Sequence, residues 1–330
     1  MKFRLLLLKY WFFTGIAAVV LIAFALPAVG VFLQTYKILD IVIFVAFLLT
    51  GLTLEMASIV RQLKNAKALI AAVASSLFLF PIIAYWPAVW IFGTPSDAAI
   101  GALINGVAPV TIASGMVMTA VAFGNVPLSL LICVLCNTAA VLTIPFMLDL
   151  LLGAGGAPVS LPAMQMLTGL AVKVLLPTVI GQLLRPLLKD LLVPYGKVFS
   201  IFNQCLVLMI ILNAVSSSTD RIIEAGIAIL GIFIFMILLH VCILLMNYGV
   251  SRLIRLDQPS TAAFTIHVSQ KTLTVSYLVW SGYFAGAFPM ALIPAIAYHI
   301  TQMIMDTFVA DWFRRVQMEI EGTDKKGVTQ

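Results

Sequence analysis

Residues 98–148 read AAIGALINGVAPVTIASGMVMTAVAFGNVPLSLLICVLCNTAAVLTIPFML and contain no charged side chain. A membrane-spanning helix needs about 20 consecutive apolar residues, so this stretch is long enough for two crossings. Residues 123–127 (FGNVP) are typical of a reversal, because Gly and Asn tolerate turn geometry and Pro suits the first turn of a helix. The stretch therefore predicts two transmembrane helices joined by a short turn.

The rest of the chain has the same character. Of its 330 residues 62% are apolar and 10% charged, and the mean hydropathy is +1.13. Soluble domains carry roughly 45–50% apolar and about 25% charged residues, so the composition excludes a cytosolic enzyme, a secreted disulfide scaffold and a disordered chain. Long continuous apolar runs favour helices over barrel strands. We predict ten transmembrane helices, near residues 11–32, 38–58, 67–93, 97–122, 126–150, 163–187, 198–217, 222–250, 258–283 and 286–314.

The basic residues test this count, because cytoplasmic loops carry an excess of Lys and Arg. With a cytoplasmic N-terminus, alternate loops hold most of the 19 basic residues, namely Lys2, Arg4, Lys9, Arg61, Lys64, Lys67, Arg185, Lys189, Lys197, Arg252, Arg255, Arg314, Arg315, Lys325 and Lys326. The opposite loops hold Lys37 and Arg221, and Lys173 and Lys271 lie inside spans. This asymmetry predicts ten spans with both termini in the cytoplasm, and it accounts for the net charge of +6 without nucleic-acid binding.

A Gly/Pro-rich connector divides the spans five and five. We predict a first five-helix repeat at 1–152, a connector at 153–162, a second repeat at 163–315 and a cytoplasmic tail at 316–330. An odd number of spans per half gives the two halves opposite orientations. The fourth span of each half carries a polar cluster, and corresponding interruptions in inverted repeats are typical of secondary transporters with a site at the repeat interface.

The first cluster follows Pro109 and contains Thr111, Ser114 and Gly115. Pro removes a helix donor and Gly loosens the backbone, so the helix is expected to unwind here. Freed carbonyl groups in a membrane must be satisfied by protein or by a water-lined cavity. They could bind an ion or a substrate head group together with Thr111 and Ser114; the alternative is a proline kink packed through small residues.

The second cluster is the strongest local signal in the sequence and contains His267, Ser269, Gln270, Lys271 and Thr272. A lysine at the bilayer centre costs about 2.5–3.5 kcal/mol on insertion scales, so it needs a partner or water. The alternative is a shifted span from which Lys271 snorkels to the interface. The absence of further charge before Asp306 disfavours that alternative.

Other polar residues in the spans are weaker candidates. Cys133, Asn137 and Thr138 in the fifth span could complete a cation shell or bond a neighbouring helix. His299 and Gln302 share one face of the tenth span and could handle protons or form a structural pair.

For His240 we expect a satisfied core histidine, and for Lys173 and Asp306 interfacial positions. The four cysteines lie in apolar runs and predict packing rather than disulfides. The sequence has no P-loop, no Cys/His zinc cluster, no potassium filter and no convergent nucleophile and base, so we predict neither an enzyme nor a cofactor. Lipid-facing and helix-facing apolar stripes look alike, so the sequence makes no prediction of oligomeric state.

Five segments together resemble the bile acid:sodium symporter family, solute carrier family ten, and within it the branch of its seventh member and bacterial relatives. They are residues 49–55 (LTGLTLE), 109–114 (PVTIAS), Gly124-Asn125, Pro145 and 269–273 (SQKTL). The resemblance implies a panel domain of spans 1, 2, 6 and 7, a core domain of spans 3–5 and 8–10, and crossed, unwound spans four and nine. It also implies transport driven by sodium, in which the core domain moves relative to the panel domain. It further implies an integral protein of the bacterial inner membrane.

The resemblance carries over to individual residues only in part. Ser114 matches the family's Ser-Asn pair, whereas Gly115 replaces the Asn. In the fifth span, where the family has hydroxyl residues, one position is the polar Asn137 and the other is Cys133. Gln270 matches the family's glutamine. These matches imply a sodium site at Ser114, Asn137 and Gln270, but Ile266 or His267 stands in place of the shared glutamate.

Lys271 offers a specific alternative to two-sodium coupling. Its ammonium could occupy a cation position itself, with Ser114, Asn137 and carbonyls of the fourth span as partners, and its protonation could couple transport to protons. We therefore predict a secondary transporter of a small organic anion, bile-acid-like or otherwise amphipathic, driven by sodium or protons. The alternative is a non-transporting membrane regulator of ion (calcium) homeostasis.

Overall fold

The computed structural model describes residues 11–54, 62, 64–156 and 161–327, and within these ranges every regular element is helical, with no strand. The predicted all-α class is therefore confirmed for the described chain. Residues of the predictions that fall outside these ranges are Lys2, Arg4, Lys9, Glu55, Arg61 and positions 157–160 of the connector. The first half contains α1 (Trp11–Ala25), α2 (Pro27–Thr35), α3 (Ile38–Thr53), α4 (Ala66–Ala74), α5 (Phe80–Phe92), α6 (Asp97–Val107), α7 (Ala113–Val121) and α8 (Val126–Ala154).

The second half contains α9 (Ala163–Leu170), α10 (Leu176–Leu192), α11 (Gly196–Ser217), α12 (Thr219–Ala225), α13 (Ala228–Leu253), α14 (Gln258–Ser269), α15 (Leu273–Val279) and α16 (Ile293–Gly327). A π-helical turn joins α4 to α5 (Ser75–Leu79), another joins α9 to α10 (Ala171–Leu175), and a third extends α15 (Trp280–Phe284). Single π-turns inside helices are frequently found at functional sites.

Five helices in the described ranges are long and apolar enough to cross a membrane unaided, and six if one bent pair counts as a span. They are Ala66–Phe92, Val126–Ala154, Ala163–Leu188, Val198–Ser217 and Ala228–Leu253. The bent pair is α1 and α2, whose axes differ by 95°. The predicted first span is thus not one straight helix, because Pro27 cannot continue the hydrogen-bond ladder of α1.

The ends of two predicted segments also differ from the structure. The last helix starts at Ile293 rather than near residue 286, and it runs without a break to Gly327. The predicted boundary between the tenth span and the tail at residue 315 is therefore not a helix end. Arg314 and Arg315 both pair with Asp311 along this helix, and such (i, i+3) and (i, i+4) pairs support a solvated helical surface.

Helix packing divides most of the described helices into two sets. In the first set, α3 packs against α10, and α11 packs against α1 and α2. In the second set, α5 packs against α6, and α13 packs against α14 and α16. The seam between the two sets is the place where the polar clusters meet a cavity.

Two glycines explain the close contact within the first set. A Cβ atom on Gly51 of α3 would lie 2.1 Å from the carbonyl oxygen of Thr178, and one on Gly181 of α10 would lie 2.2 Å from that of Leu48. Small residues let helix backbones approach closely, which is a common way to join helices in membranes. Gln182 then reaches across to donate to the carbonyls of Gly51 and Leu54.

Candidate functional site

The two polar clusters lie on two interrupted helices that meet. Residues 108–112 separate α6 from α7, and residues 270–272 separate α14 from α15. The two interruptions touch through their backbones, because the Thr272 N–H donates to the Pro109 carbonyl at 2.9 Å. Pro109 has no N–H of its own, so the first interruption is rich in acceptors and poor in donors.

Four successive carbonyl oxygens of the first interruption each accept a hydrogen bond, and we call them the carbonyl strip. The donors to Ala108, Pro109, Val110 and Thr111 are, in that order, Lys271 Nζ at 2.7 Å, the Thr272 N–H at 2.9 Å, Asn137 Nδ2 at 3.2 Å and His267 Nε2 at 2.7 Å. Backbone groups freed from a helix inside a membrane must be satisfied, and here three side chains and one backbone N–H satisfy them.

Lys271 is buried at 1% exposure and does not reach an interface. Its ammonium donates to the Ser76 carbonyl at 2.6 Å, to the Ser76 hydroxyl at 3.1 Å and to the Ala108 carbonyl at 2.7 Å. It also lies 4.3 Å from the centroid of the Phe80 ring, a distance that suits a cation–π contact. The snorkelling alternative is therefore wrong for this structure.

The predicted partners of Lys271 were only partly right. The fourth-span carbonyl is present as Ala108, but Ser114 and Asn137 bond other groups, and Ser76 replaces them. Ser76 lies in the π-helical turn between α4 and α5, which widens the helix locally. No sequence pattern pointed to Ser76, because a serine in an apolar span is common.

Gln270 connects the crossing to the second set of helices. Its Oε1 accepts from the hydroxyls of Thr111 and Ser114, the latter at 2.9 Å, and its Nε2 donates to Asp306 Oδ2 at 2.6 Å. Ser114 also donates to Thr111 Oγ1 at 2.8 Å. Thr111, Ser114 and Gln270 therefore form one cluster of neutral oxygen donors and acceptors.

His267 fills the space that Gly115 leaves. A Cβ atom at position 115 would lie 2.4 Å from His267 Cδ2, so only glycine fits beside this imidazole. Because His267 Nε2 faces the Thr111 carbonyl, it must carry the proton, and in the neutral ring Nδ1 then accepts from the Ser129 hydroxyl. The absence of a side chain at Gly115 and the position of the His267 imidazole thus depend on each other.

Asn137 and Cys133 lie next to the carbonyl strip, whereas Thr138 does not. Asn137 Nδ2 donates to the carbonyls of Val110 and Cys133, and its Oδ1 is buried without a protein partner. Thr138 is exposed, and among the described residues the structure does not bring it to the other predicted site residues. In the described part of the chain no hydrogen bond joins Asn137 to Ser114 or Gln270, so the structure does not bring the three predicted sodium ligands into direct contact.

Gln302 and His299 hold the second interruption in place. Gln302 accepts from the Lys271 N–H at 2.8 Å and donates to the Lys271 carbonyl at 3.0 Å, replacing the helix bonds that residue has lost. Gln302 Nε2 also lies 3.0 Å from His299 Nδ1. His299 and Gln302 thus form the hydrogen-bonded structural pair that was one of the two predictions for them. His299 also lines the cavity described below.

A buried network behind Gln270 was missed by the sequence analysis. Asp306 is fully buried and bonds His240 at 2.9 Å, and His240 Nδ1 lies 2.8 Å from the Tyr298 hydroxyl, which donates to the Ser269 carbonyl. The expected interfacial position of Asp306 is wrong, while His240 is a satisfied core histidine as expected. The signal was available, because Asp306 ends a charge-free run of 34 residues, 272–305.

A cavity of about 220 Å³ lies directly against the crossing. The first set of helices contributes α1, α3 and α11, and the second set contributes both interruptions, α7, α15 and α16. Its lining is apolar with neutral polar groups and no Lys, Arg, Asp or Glu: Phe12, Ala46, Phe47, Thr50, Thr111, Ile112, Ser114, Val117, Met118, Ser200, Asn203, Gln204, Val207, Thr272, Leu273, Thr274, His299 and Met303. Gln204 Oε1 in this lining is buried and lacks a protein partner.

Comparisons with known proteins find relatives along most of the chain. The sequence profile described as the SBF-like CPA transporter family matches residues 10–315. An Oryza sativa subsp. japonica protein named probable sodium/metabolite cotransporter BASS4, chloroplastic, is 27% identical over 321 residues, covering 92% of this chain and 75% of that protein.

Two further relatives come from an animal and a bacterium. Sodium/bile acid cotransporter 7 of Xenopus tropicalis is 24% identical over 314 residues, covering 90% of this chain and 89% of that protein. The uncharacterized sodium-dependent transporter YocS of Bacillus subtilis (strain 168) is 21% identical over 314 residues, covering 93% and 92%.

Proposed function

The chain belongs to the SBF-like CPA transporter family, and from this premise we propose that it is a cation-coupled secondary transporter of an organic anion. Family membership confirms the prediction of a membrane transporter rather than an enzyme. The observation that carries the proposal is the cavity of about 220 Å³ between two sets of helices, in contact with both helix interruptions. A site at such a seam can open to either side of the membrane when one set moves against the other.

The proposed architecture is ten spans in two inverted five-helix repeats. Interruptions in α6–α7 and in α14–α15, at corresponding places of the two halves, support it. The packing of α3 with α10 and of α11 with α1 and α2 supports a panel domain, and the packing of α13 with α14 and α16 supports a core domain. The distribution of basic residues supports a cytoplasmic location of both termini. The Bacillus subtilis relative supports the proposed bacterial inner membrane.

The cavity lining supports an amphipathic anion as substrate. Phe47, Val117 and Leu273 give it an apolar wall, while Gln204 and Thr111 offer hydrogen-bonding groups. The N-terminus of α7 begins at Ala113 beside this lining, and a helix N-terminus favours negative charge. The absence of carboxylates among the lining residues leaves that preference unopposed.

Sodium is the proposed coupling ion, because the relatives above carry sodium in their names. Sodium prefers oxygen ligands, and Thr111, Ser114, Gln270 and the unpartnered Oδ1 of Asn137 offer them near the cavity. Lys271 acts beside them as a tethered cation, since its ammonium binds three oxygens at 2.6–3.1 Å. Loss and uptake of a proton by the Lys271 amino group is the second coupling route that we propose.

Uptake by purified protein in liposomes tests the function. We expect an inward sodium gradient to drive uptake of taurocholate, or of another amphipathic carboxylate or sulfonate, above the level of protein-free liposomes. An imposed proton gradient without sodium measures the Lys271 route. Strict sodium dependence with no proton effect, or proton coupling that survives in Lys271→Ala, would rule that route out.

A matched pair of variants locates the site. Thr111→Val removes a hydroxyl from the crossing and should lower uptake at least about tenfold, because it leaves the buried Gln270 acceptor underused. Thr307→Val makes the same change on the exposed face of α16 and should leave uptake unchanged. Absence of gradient-driven flux for every anion tested would instead favour the regulator of ion (calcium) homeostasis.

A further inference from the structure

A second cavity of about 160 Å³ lies on the same seam, and neither the proposed function nor the crossing uses it. Its polar lining consists of Gln34, Lys37, Asp40, Lys173, Tyr277 and Ser281. These residues come from the end of α2, the start of α3, the π-helical turn before α10, and α15 with its π-helical extension.

The two cavities lie at different positions along one seam, between α3 and α15. On α3, Asp40 lines the second cavity and Phe47 the first, a separation of about 10 Å along the helix axis. On α15 and its extension, Thr274 lines the first cavity and Ser281 the second. Ile43, which is fully buried, lies between Asp40 and Phe47 on α3, so packed side chains separate the two cavities.

The second cavity differs from the first in its charge. Two ammonium groups and one carboxylate line it, which leaves a formal charge of +1, whereas the first cavity has no Lys, Arg, Asp or Glu in its lining. Lys173 bonds Asp40 at 2.8 Å, and the two side chains are 45% and 37% exposed. Lys37 takes part in none of the ion pairs among the described residues.

The Lys173–Asp40 ion pair is weak enough for another anion to replace Asp40 as the partner of Lys173. A half-exposed ion pair contributes little net free energy, so a second anion can compete with Asp40 for the ammonium. The carboxylate keeps Lys173 compensated when no ligand is present, which lowers the cost of a cation within a membrane protein. The hydroxyls of Tyr277 and Ser281 line the same cavity as neutral donors.

We propose that this cavity is an anion-receiving site in which a carboxylate, sulfonate or phosphate group displaces Asp40 from Lys173, with Lys37 as the second cation. The proposal rests on the proposed transport of an organic anion and adds a first recognition step at the end of the seam opposite to the neutral cavity. The anion reaches the site either from solution or as the head group of an anionic lipid.

Anion-induced thermal stabilisation of the full-length protein in a non-ionic detergent tests the proposal. The probes are sodium sulfate and sodium 1-octanesulfonate, titrated at constant sodium concentration and ionic strength. A ligand that binds the native state raises the melting temperature, so the titration gives an apparent affinity. Nanodiscs of phosphatidylcholine, with and without phosphatidylglycerol, separate the dissolved source from the lipid source.

Three variants and one control decide the outcome. Asp40→Asn removes the competitor and should tighten octanesulfonate binding about two- to fivefold, the range that an exposed ion pair allows. Lys173→Gln should weaken binding at least about fivefold. Asp40→Asn combined with Lys173→Gln removes both charges together, keeps a hydrogen-bonding pair and should also lose binding without loss of melting temperature in the absence of anion. Lys67→Met, on an exposed lysine outside both cavities, should bind as the wild type does.

Unchanged anion affinity in all three variants would overturn the proposal, and so would equal weakening by Lys67→Met. Stabilisation by phosphatidylglycerol that requires Lys173 would support it with a lipid head group as the source. Because this binding assay needs no ion gradient, its result is independent of whether gradient-driven flux is found. Loss of flux with retained Lys173-dependent binding would therefore contradict the proposed function and not this site.

Discussion

The two helix interruptions occupy corresponding places in the two halves of the chain but play opposite parts in the crossing. The first, residues 108–112, offers four carbonyl oxygens and a single polar side chain, Thr111, because its sequence Ala-Pro-Val-Thr-Ile is mostly apolar. The second, residues 270–272, supplies donors through Lys271 and the Thr272 N–H. The difference shows that donors of the protein itself close the crossing, among them the Lys271 ammonium.

This division of roles has a structural consequence. A carbonyl strip in a membrane is stable only while each oxygen has a donor. Here the donors come from two helices, α8 and α14, and from the second interruption. Removing donors one at a time therefore measures how much each contact stabilises the crossing. We expect the effect to follow the charge and burial of the donor.

The largest effect is expected for Lys271→Met, which keeps the length of the side chain and removes its charge. The carbonyls of Ser76 and Ala108 would lose their donor, and we expect a loss of about 2–5 kcal/mol in the free energy of unfolding. Chemical denaturation in detergent measures it. Transport should fall at least about tenfold in the liposome assay.

The control for this variant is Lys67→Met, which changes an exposed lysine. If Lys271→Met were as stable as this control, the ammonium would not stabilise the carbonyl strip. The inference that the second interruption supplies donors to the first would then be contradicted. Added sodium that raises the melting temperature of Lys271→Met by more than it raises that of the wild type would sharpen the comparison. It would show that a free cation can take the position that the ammonium leaves.

A smaller loss, about 1–3 kcal/mol, is expected for Gly115→Ala, because overpacking a filled site forces neighbours to move. The new methyl group would meet His267 Cδ2 at 2.4 Å and push the imidazole away from the Thr111 carbonyl. Gly249→Ala is the matched control, since a Cβ atom there meets no atom within 4 Å.

The double variant Gly115→Ala with His267→Ala isolates the contact. If steric conflict is the cause, the two changes will be strongly non-additive in the free energy of unfolding, as expected for residues in contact. Additive effects would contradict the inference that Gly115 and His267 depend on each other.

The smallest effect is expected for Asn137→Ala, about 1 kcal/mol, because the hydrogen bonds that it removes, to the carbonyls of Val110 and Cys133, are both neutral. The same variant tests the proposed sodium ligand, since Asn137 Oδ1 has no protein partner. We expect the difference in melting temperature between sodium chloride and choline chloride to shrink. Asn65→Ala, an exposed change, should leave that difference intact, and an undiminished difference in Asn137→Ala would remove this residue from the ion site.

Sequence reasoning located the interruptions because they are chemically unusual. A proline followed by hydroxyl residues, and a lysine within a polar cluster, stand out in a chain that is 62% apolar. Partners were harder to predict, since Lys271 binds Ser76, which lies 195 positions away, and Gln270 binds Asp306, 36 positions away. The exposure of Thr138 beside the half-buried Asn137 was also hard to predict, because neighbouring residues of a helix point about 100° apart.

The sequence by itself determined a helical membrane transporter and the two places where its helices break, since both depend on local composition and on the cost of polar groups in a membrane. Only the tertiary structure decided that Lys271 is held by Ser76 and Ala108, that Gly115 makes room for His267, and that the seam carries a neutral cavity and a cationic one. These contacts depend on which faces of distant helices meet, and apolar stripes that face lipid or protein are alike in sequence.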